Sequence, residues 1–209
     1  MRTARLLSVL VLGAGLLGVT TVASQAVTFQ FTSDHCTGGC GTPPFGTVDV
    51  TQAGANVSLT VTLAAGYQYA QTGSADFQIF KFNGTGVALT DIVVGAHVPA
   101  LAAATGAFNG DGTGNFAFGI NCPTCGNGPT GFGGSVALTV LNATIADLTA
   151  PNNLGNIFVA DVLAPNGNTG PVDVSVAPIP LPPAAFLFGT ALFGLGLLGR
   201  RGKHAALAA

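Results

Sequence analysis

The chain has 209 residues, 48% apolar and only 7% charged, with 31 glycines and no tryptophan. Five of its six basic residues, Arg2, Arg5, Arg200, Arg201 and Lys203, lie in the two ends, so the stretch between them sets Lys81 alone against eight aspartates, a net charge of −7. Such a surface repels phosphate backbones and excludes nucleic-acid binding.

The first 26 residues read as a signal peptide. Arg2 and Arg5 open it, Leu6 to Val19 is apolar, and small residues from Thr21 to Ala26 offer a cleavage site. The apolar part is short for an anchor, so the segment is expected to engage the Sec translocon and to be removed by signal peptidase. Residues 27–177 are numerous enough for one core of ordinary size, and their Thr, Asn, Val and Gly content with so little Glu, Lys and Arg disfavours helices.

Period-two alternation dominates this domain. Val27, Phe29 and Phe31 alternate with Thr28 and Gln30; Val57, Leu59, Val61 and Leu63 alternate with Ser58, Thr60 and Thr62; Val136, Leu138 and Val140 alternate with Ala137 and Thr139. Each run presents one apolar face to a core. Shorter candidate strands are 47–51, 77–82, 92–94, 115–120, 157–162 and 172–176. The run from Val98 to Ala104 is expected to form one short helix, and Gly126 to Gly134 a mobile loop. Turn-formers punctuate the strands at Gly54, Asn83-Gly84, Asn109 to Gly112, Pro151 to Asn153 and Pro165 to Asn168. Eight to ten short strands at this spacing predict an all-β fold, an antiparallel, jelly-roll-like β-sandwich.

Four cysteines fall in two close pairs, Cys36 with Cys40 and Cys122 with Cys125. In an exported domain an even count reads as disulfides, and local pairing is favoured because Gly38 and Gly39 let the first loop close. Zinc would need both pairs to converge, yet 81 residues separate Cys40 from Cys122. Redox chemistry at Cys122-Pro123-Thr124-Cys125 lacks the βαβ context that activates such a motif. No metal site is expected: the 109–115 loop carries a single carboxylate, and Asp34-His35-Cys36 reads as a polar lead-in to the bridged loop. No nucleophile motif, phosphate-cradling loop or privileged carboxylate pair is present, so neither catalysis nor a cofactor is expected.

The C-terminal end has three parts. Ala177 to Ala185 spells A-P-I-P-L-P-P-A-A, an uncharged stretch runs from Phe186 to Gly199, and Arg200, Arg201 and Lys203 come last. The prolines hold the motif extended, the apolar part is of membrane length, and the basic stop sets its orientation. This layout resembles the PEP-CTERM class of bacterial sorting signals, with Pro178, Ile179, Pro180, Leu181 and Pro182 closest to its Val-Pro-Leu-Pro-Ala variant. Pro183 and Leu181 depart from the family's usual spellings. The resemblance is confined to residues 178–209, with the transmembrane helix at 184–199 and the basic stop at 200–203. It implies an inner-membrane intermediate, recognition by an exosortase-type membrane protease, and delivery to the surface or matrix of a bacterium that exports polysaccharide.

The domain has two candidate roles. One is a noncatalytic surface or extracellular-matrix protein of the biofilm. The other is a carbohydrate-binding module with polysaccharide as partner, for which the aromatics at loops, Tyr67, Tyr69, Phe45, Phe108 and Phe132, are the candidate contacts.

Overall fold

A computed structural model describes residues 25–72, 77–126 and 128–174. The expected signal peptide falls outside these residues up to Ser24, while the expected cleavage point between Ala26 and Val27 lies at the start of the first strand; the proline motif, the apolar segment and the basic stop fall outside the described residues.

The described chain is a mostly antiparallel β-protein of two sheets. One sheet has five strands in the order β1 (Ala26–Phe31), β3 (Gly46–Ala53), β4 (Asn56–Leu63), β11 (Val136–Val140) and β7 (Ile92–Val94). The other has eight. Six run in the order β10 (Gly128–Phe132), β5 (Gln68–Gln71), β12 (Phe158–Leu163), β6 (Phe80–Phe82), β9 (Asn115–Asn121) and β8 (Ala102–Asn109). Alongside β12 lies β13 (Thr169–Val174), which in turn pairs with β2 (Ser33–Asp34). A 3-10 turn (Leu89–Asp91) and a short helix, α1 (Ile145–Leu148), complete the described elements. Among the described residues no helix is long and apolar enough to cross a membrane.

Alternation sorts the residues as their chemistry requires. Val57, Leu59 and Val61 of β4 are fully buried, whereas Ser58 and Thr60 are only partly covered and Thr62 is exposed. Inward residues of both sheets meet in one core, joined by an edge-on contact between Phe29 and Phe158 at 5.3 Å. The Tyr69 hydroxyl also crosses between the sheets, donating to the Val61 carbonyl at 2.9 Å. With its polar tip satisfied, the ring adds its full apolar area to the core, and burial pushes the phenol's pKa up.

Two expectations are corrected. Residues 102–109 form strand β8, paired with β9 from Ala102↔Asn121 to Asn109↔Asn115, where a helix was expected over 98–104. A helix ending at Ala104, before Thr105 and Gly106, is too short to sustain itself, and pairing with an apolar strand overrides alanine's local preference. The glycine-rich segment is ordered in part as β10, paired to β5 at Gly128↔Gln71 and Phe132↔Tyr69. Glycine lowers strand propensity, but the exposed backbone of β5 offers hydrogen bonds that do not depend on side chains.

Candidate functional site: a polar cluster on the outer face of the larger sheet

Strand β12 is flanked on one side by β13 along its whole length and on the other by β6 and β5 in succession. Its sequence, FVADVL, would suit a strand buried on both faces but for Asp161. The neighbouring strands repeat the anomaly. Lys81 stands between Phe80 and Phe82, and Asp173 between Val172 and Val174; the flanking residues enter the core, so Lys81, Asp161 and Asp173 project from the opposite face. All three are at most 2% exposed.

Loops cover this face. The tip of the β8–β9 hairpin, Gly110 to Gly114, folds over it, burying Thr113 completely. Asn152 and Asn156 both donate side-chain amides to the Thr113 carbonyl, at 2.7 and 2.9 Å, and hold the tip down. Gly119, paired with Lys81, leaves room for the Gln78 side chain, which lies 2.5 Å from where a Cβ would stand. The expected tight turn at 109–112 is therefore present, and it serves as a cover.

Beneath the cover the charges are paired. The Lys81 ammonium lies 3.0 Å from Asp161 Oδ2 and donates to the Gln78 carbonyl at 3.2 Å. His35 Nε2 lies 2.7 Å from Asp173 Oδ2. Burial holds the Asp173 carboxyl above the usual carboxylate range, and the His35 ring draws it partly back.

Beside His35 a cavity of about 230 Å³ opens, lined by His35, Thr37, Thr72, Asp111 and the start of β13 at Thr169, Gly170 and Pro171. The Cys36–Cys40 disulfide loop forms its wall. That loop is pinned from outside: the Tyr67 hydroxyl donates to the Cys40 carbonyl at 2.8 Å, and the side chains of Asn166 and Asn168 donate to the Gly39 carbonyl at 3.0 and 2.8 Å. Gly170 is obligatory for close approach, since a Cβ there would sit 2.7 Å from the Cys36 Cα and its φ is +154°. The Thr72 hydroxyl oxygen is buried and has no hydrogen-bond partner among the described residues.

Both cysteine pairs form the local disulfides expected of them, and no free cysteine is present among the described residues. The second bridge, Cys122–Cys125, is anchored where the Cys122 amide donates to Gln71 Oε1 at 2.7 Å. Among the described residues no group of three or more His, Cys, Asp or Glu side chains is placed to hold a metal ion.

The loop aromatics do not form a common platform. Tyr69 and Phe45 are core residues at most 1% exposed: β5 turns Tyr69 inward, and Phe45, just before β3, packs into the same core. Half-buried Phe132 packs on Tyr69 and on His97, while Tyr67 packs edge-on against Phe45. The polar cavity was not foreseen: its residues come from three separate connecting segments and from β13, and only the isolated charges within apolar runs, at Lys81, Asp161 and Asp173, signalled a covered polar face.

The chain matches no protein-family model, no curated protein and no solved structure.

Proposed function

We propose that the described domain is a noncatalytic carbohydrate-binding module of β-sandwich architecture, carried on an exported chain. The observation that carries this reading is the Thr72 hydroxyl, buried and unpartnered at the wall of a cavity otherwise lined by hydroxyl, imidazole and carboxylate groups. A buried hydroxyl without a partner costs about 1–3 kcal/mol, and a ligand hydroxyl removes that cost. Thr37, Thr72 and Thr169 offer donors and acceptors, Asp111 brings a carboxylate, and His35 offers a ring nitrogen. The cavity is smaller than the ~300–1,000 Å³ that encloses drug-sized ligands, so it suits one sugar ring, such as a chain terminus. With seven net negative charges the domain favours neutral or amino sugars over uronic acids.

Export is supported by the two disulfides, which persist in oxidising compartments, and by the leader-like first 26 residues. Sorting through an exosortase-type protease to the cell surface or biofilm matrix is supported by the proline motif, the apolar segment and the basic stop of residues 178–203.

Glycan-array screening of the mature protein, followed by calorimetry, tests the binding reading. Thr72→Val keeps the side-chain shape and removes the hydroxyl, so it should weaken binding about tenfold or more, consistent with the ~1–3 kcal/mol of one buried hydrogen bond. Equal affinity in wild type and Thr72→Val would refute this site. Sorting is tested separately by mass spectrometry of protein recovered from its native host: retention of Phe186 to Gly199 would refute processing at the proline motif.

A further inference from the structure

Lys81 is the sole lysine or arginine between residues 6 and 199, and it is not on the surface. A lone lysine that contributes nothing to solvation of the domain, held against a carboxylate in a water-excluded site, calls for a chemical explanation. We propose that Lys81 and Asp161 join in an intramolecular amide bond that cross-links strands β6 and β12.

The geometry supplies what condensation needs. Nζ is 3.0 Å from Asp161 Oδ2, which holds the amine against the carboxyl group whose carbon it attacks, and the Gln78 carbonyl orients the amine; groups held together in this way react with high effective concentration. The two residues lie on adjacent strands 80 positions apart in sequence, so the fold itself brings them together. Burial disfavours separated charges, and a proton passing from ammonium to carboxylate within the pair leaves an amine facing a carboxylic acid. Nζ then attacks Cγ, the Cγ–O bond breaks, and the departing oxygen leaves as water with two of the three nitrogen protons. No oxidant, reductant or co-reactant is consumed. Asp173 stands diagonally from Asp161 on the same face, since it pairs with Val159, and it is the other buried acid among the described residues. The cover formed by Thr113 and Gln78 excludes water that would reverse the reaction.

The uniqueness of Lys81 makes the test direct. Protein produced from the full chain is reduced and alkylated, weighed intact, and digested with trypsin in denaturant. The amide predicts a mass lower by one water than the sequence requires, and no cleavage after residue 81, because trypsin needs a free basic side chain. Lys81→Arg, which keeps the charge but cannot form this bond, should show the full mass and be cut after residue 81. Asp161→Ala should likewise show its full mass and be cut after Lys81. Wild-type protein of full mass that is split after Lys81 would overturn the proposal, whether or not the variants fold.

Discussion

Replacing Leu59 with aspartate is expected to prevent folding, whereas the same change at Thr62, three residues along the same strand, is expected to be tolerated. Leu59 is fully buried between Val50 of β3 and Leu138 of β11, and no cationic group lies among its core neighbours. The substitution removes a buried leucine, worth about 2–5 kcal/mol in transfer and cavity terms, and adds a carboxylate whose desolvation costs several kcal/mol more. That total is comparable to the ~5–15 kcal/mol by which a domain of this kind is stable. Thr62 is exposed, pairs with Thr47 and shares a hydroxyl contact with Ser135 at 2.9 Å, so Thr62→Asp should shift stability by no more than about 0.5 kcal/mol. Thr60 is a poorer control. It faces Asp49, and a second carboxylate there adds a like-charge penalty of roughly 0.2–1 kcal/mol. Chemical denaturation followed by far-ultraviolet dichroism gives both stabilities. Equal sensitivity at Leu59 and Thr62 would refute the one-face burial of β4, and a helical spectrum would refute the all-β fold.

Three further perturbations probe the face that carries the cavity. Gly170→Ala should lower the melting temperature by the equivalent of about 1–3 kcal/mol, because the new Cβ meets the Cys36 backbone; an unchanged melting temperature would show that β13 is not closely packed against the first disulfide loop. Removing the first disulfide with Cys36→Ala and Cys40→Ala should cost about 2 kcal/mol, the small entropy of a short closed loop, and should also weaken sugar binding through loss of the cavity wall. Asp173 binds its proton more tightly folded than unfolded, so its contribution to stability is full below the ordinary carboxylate pKa and is lost as pH rises through the raised folded value. Asp173→Asn should therefore gain stability relative to wild type as pH is raised from acid through that window; a relative loss would show that the His35 contact outweighs burial.

Much of the framework was legible as alternation. The runs at 27–31, 57–63 and 136–140 sit within β1, β4 and β11, because each buries a single face and a one-residue slip would expose it. Local chemistry also revealed the disulfides, since glycines between Cys36 and Cys40 permit the closed loop. Strands β5, β8 and β10 were not legible. QYAQ is short, AAATGAFN favours another structure locally, and GPTGF is weakened by glycine and proline; β5 and β10 are held by backbone pairing to strands distant in sequence, and β8 by its hairpin pairing with β9. The cavity was hidden for a related reason. Thr37, Thr72, Asp111 and Thr169 carry no distinguishing pattern in sequence, and only the folding of the β8–β9 tip and the pinning of the first disulfide loop by Asn166 and Asn168 bring them to one place.

Isothermal titration of the mature protein with neutral and amino sugars selected by glycan array, run beside Thr72→Val and Asp111→Asn, tests the central claim most directly. Saturable binding at one site per chain, weakened in both variants while their dichroism and melting temperature stay unchanged, is the predicted result. Absence of binding to any glycan, or binding indifferent to both substitutions, would contradict a sugar site at this cavity.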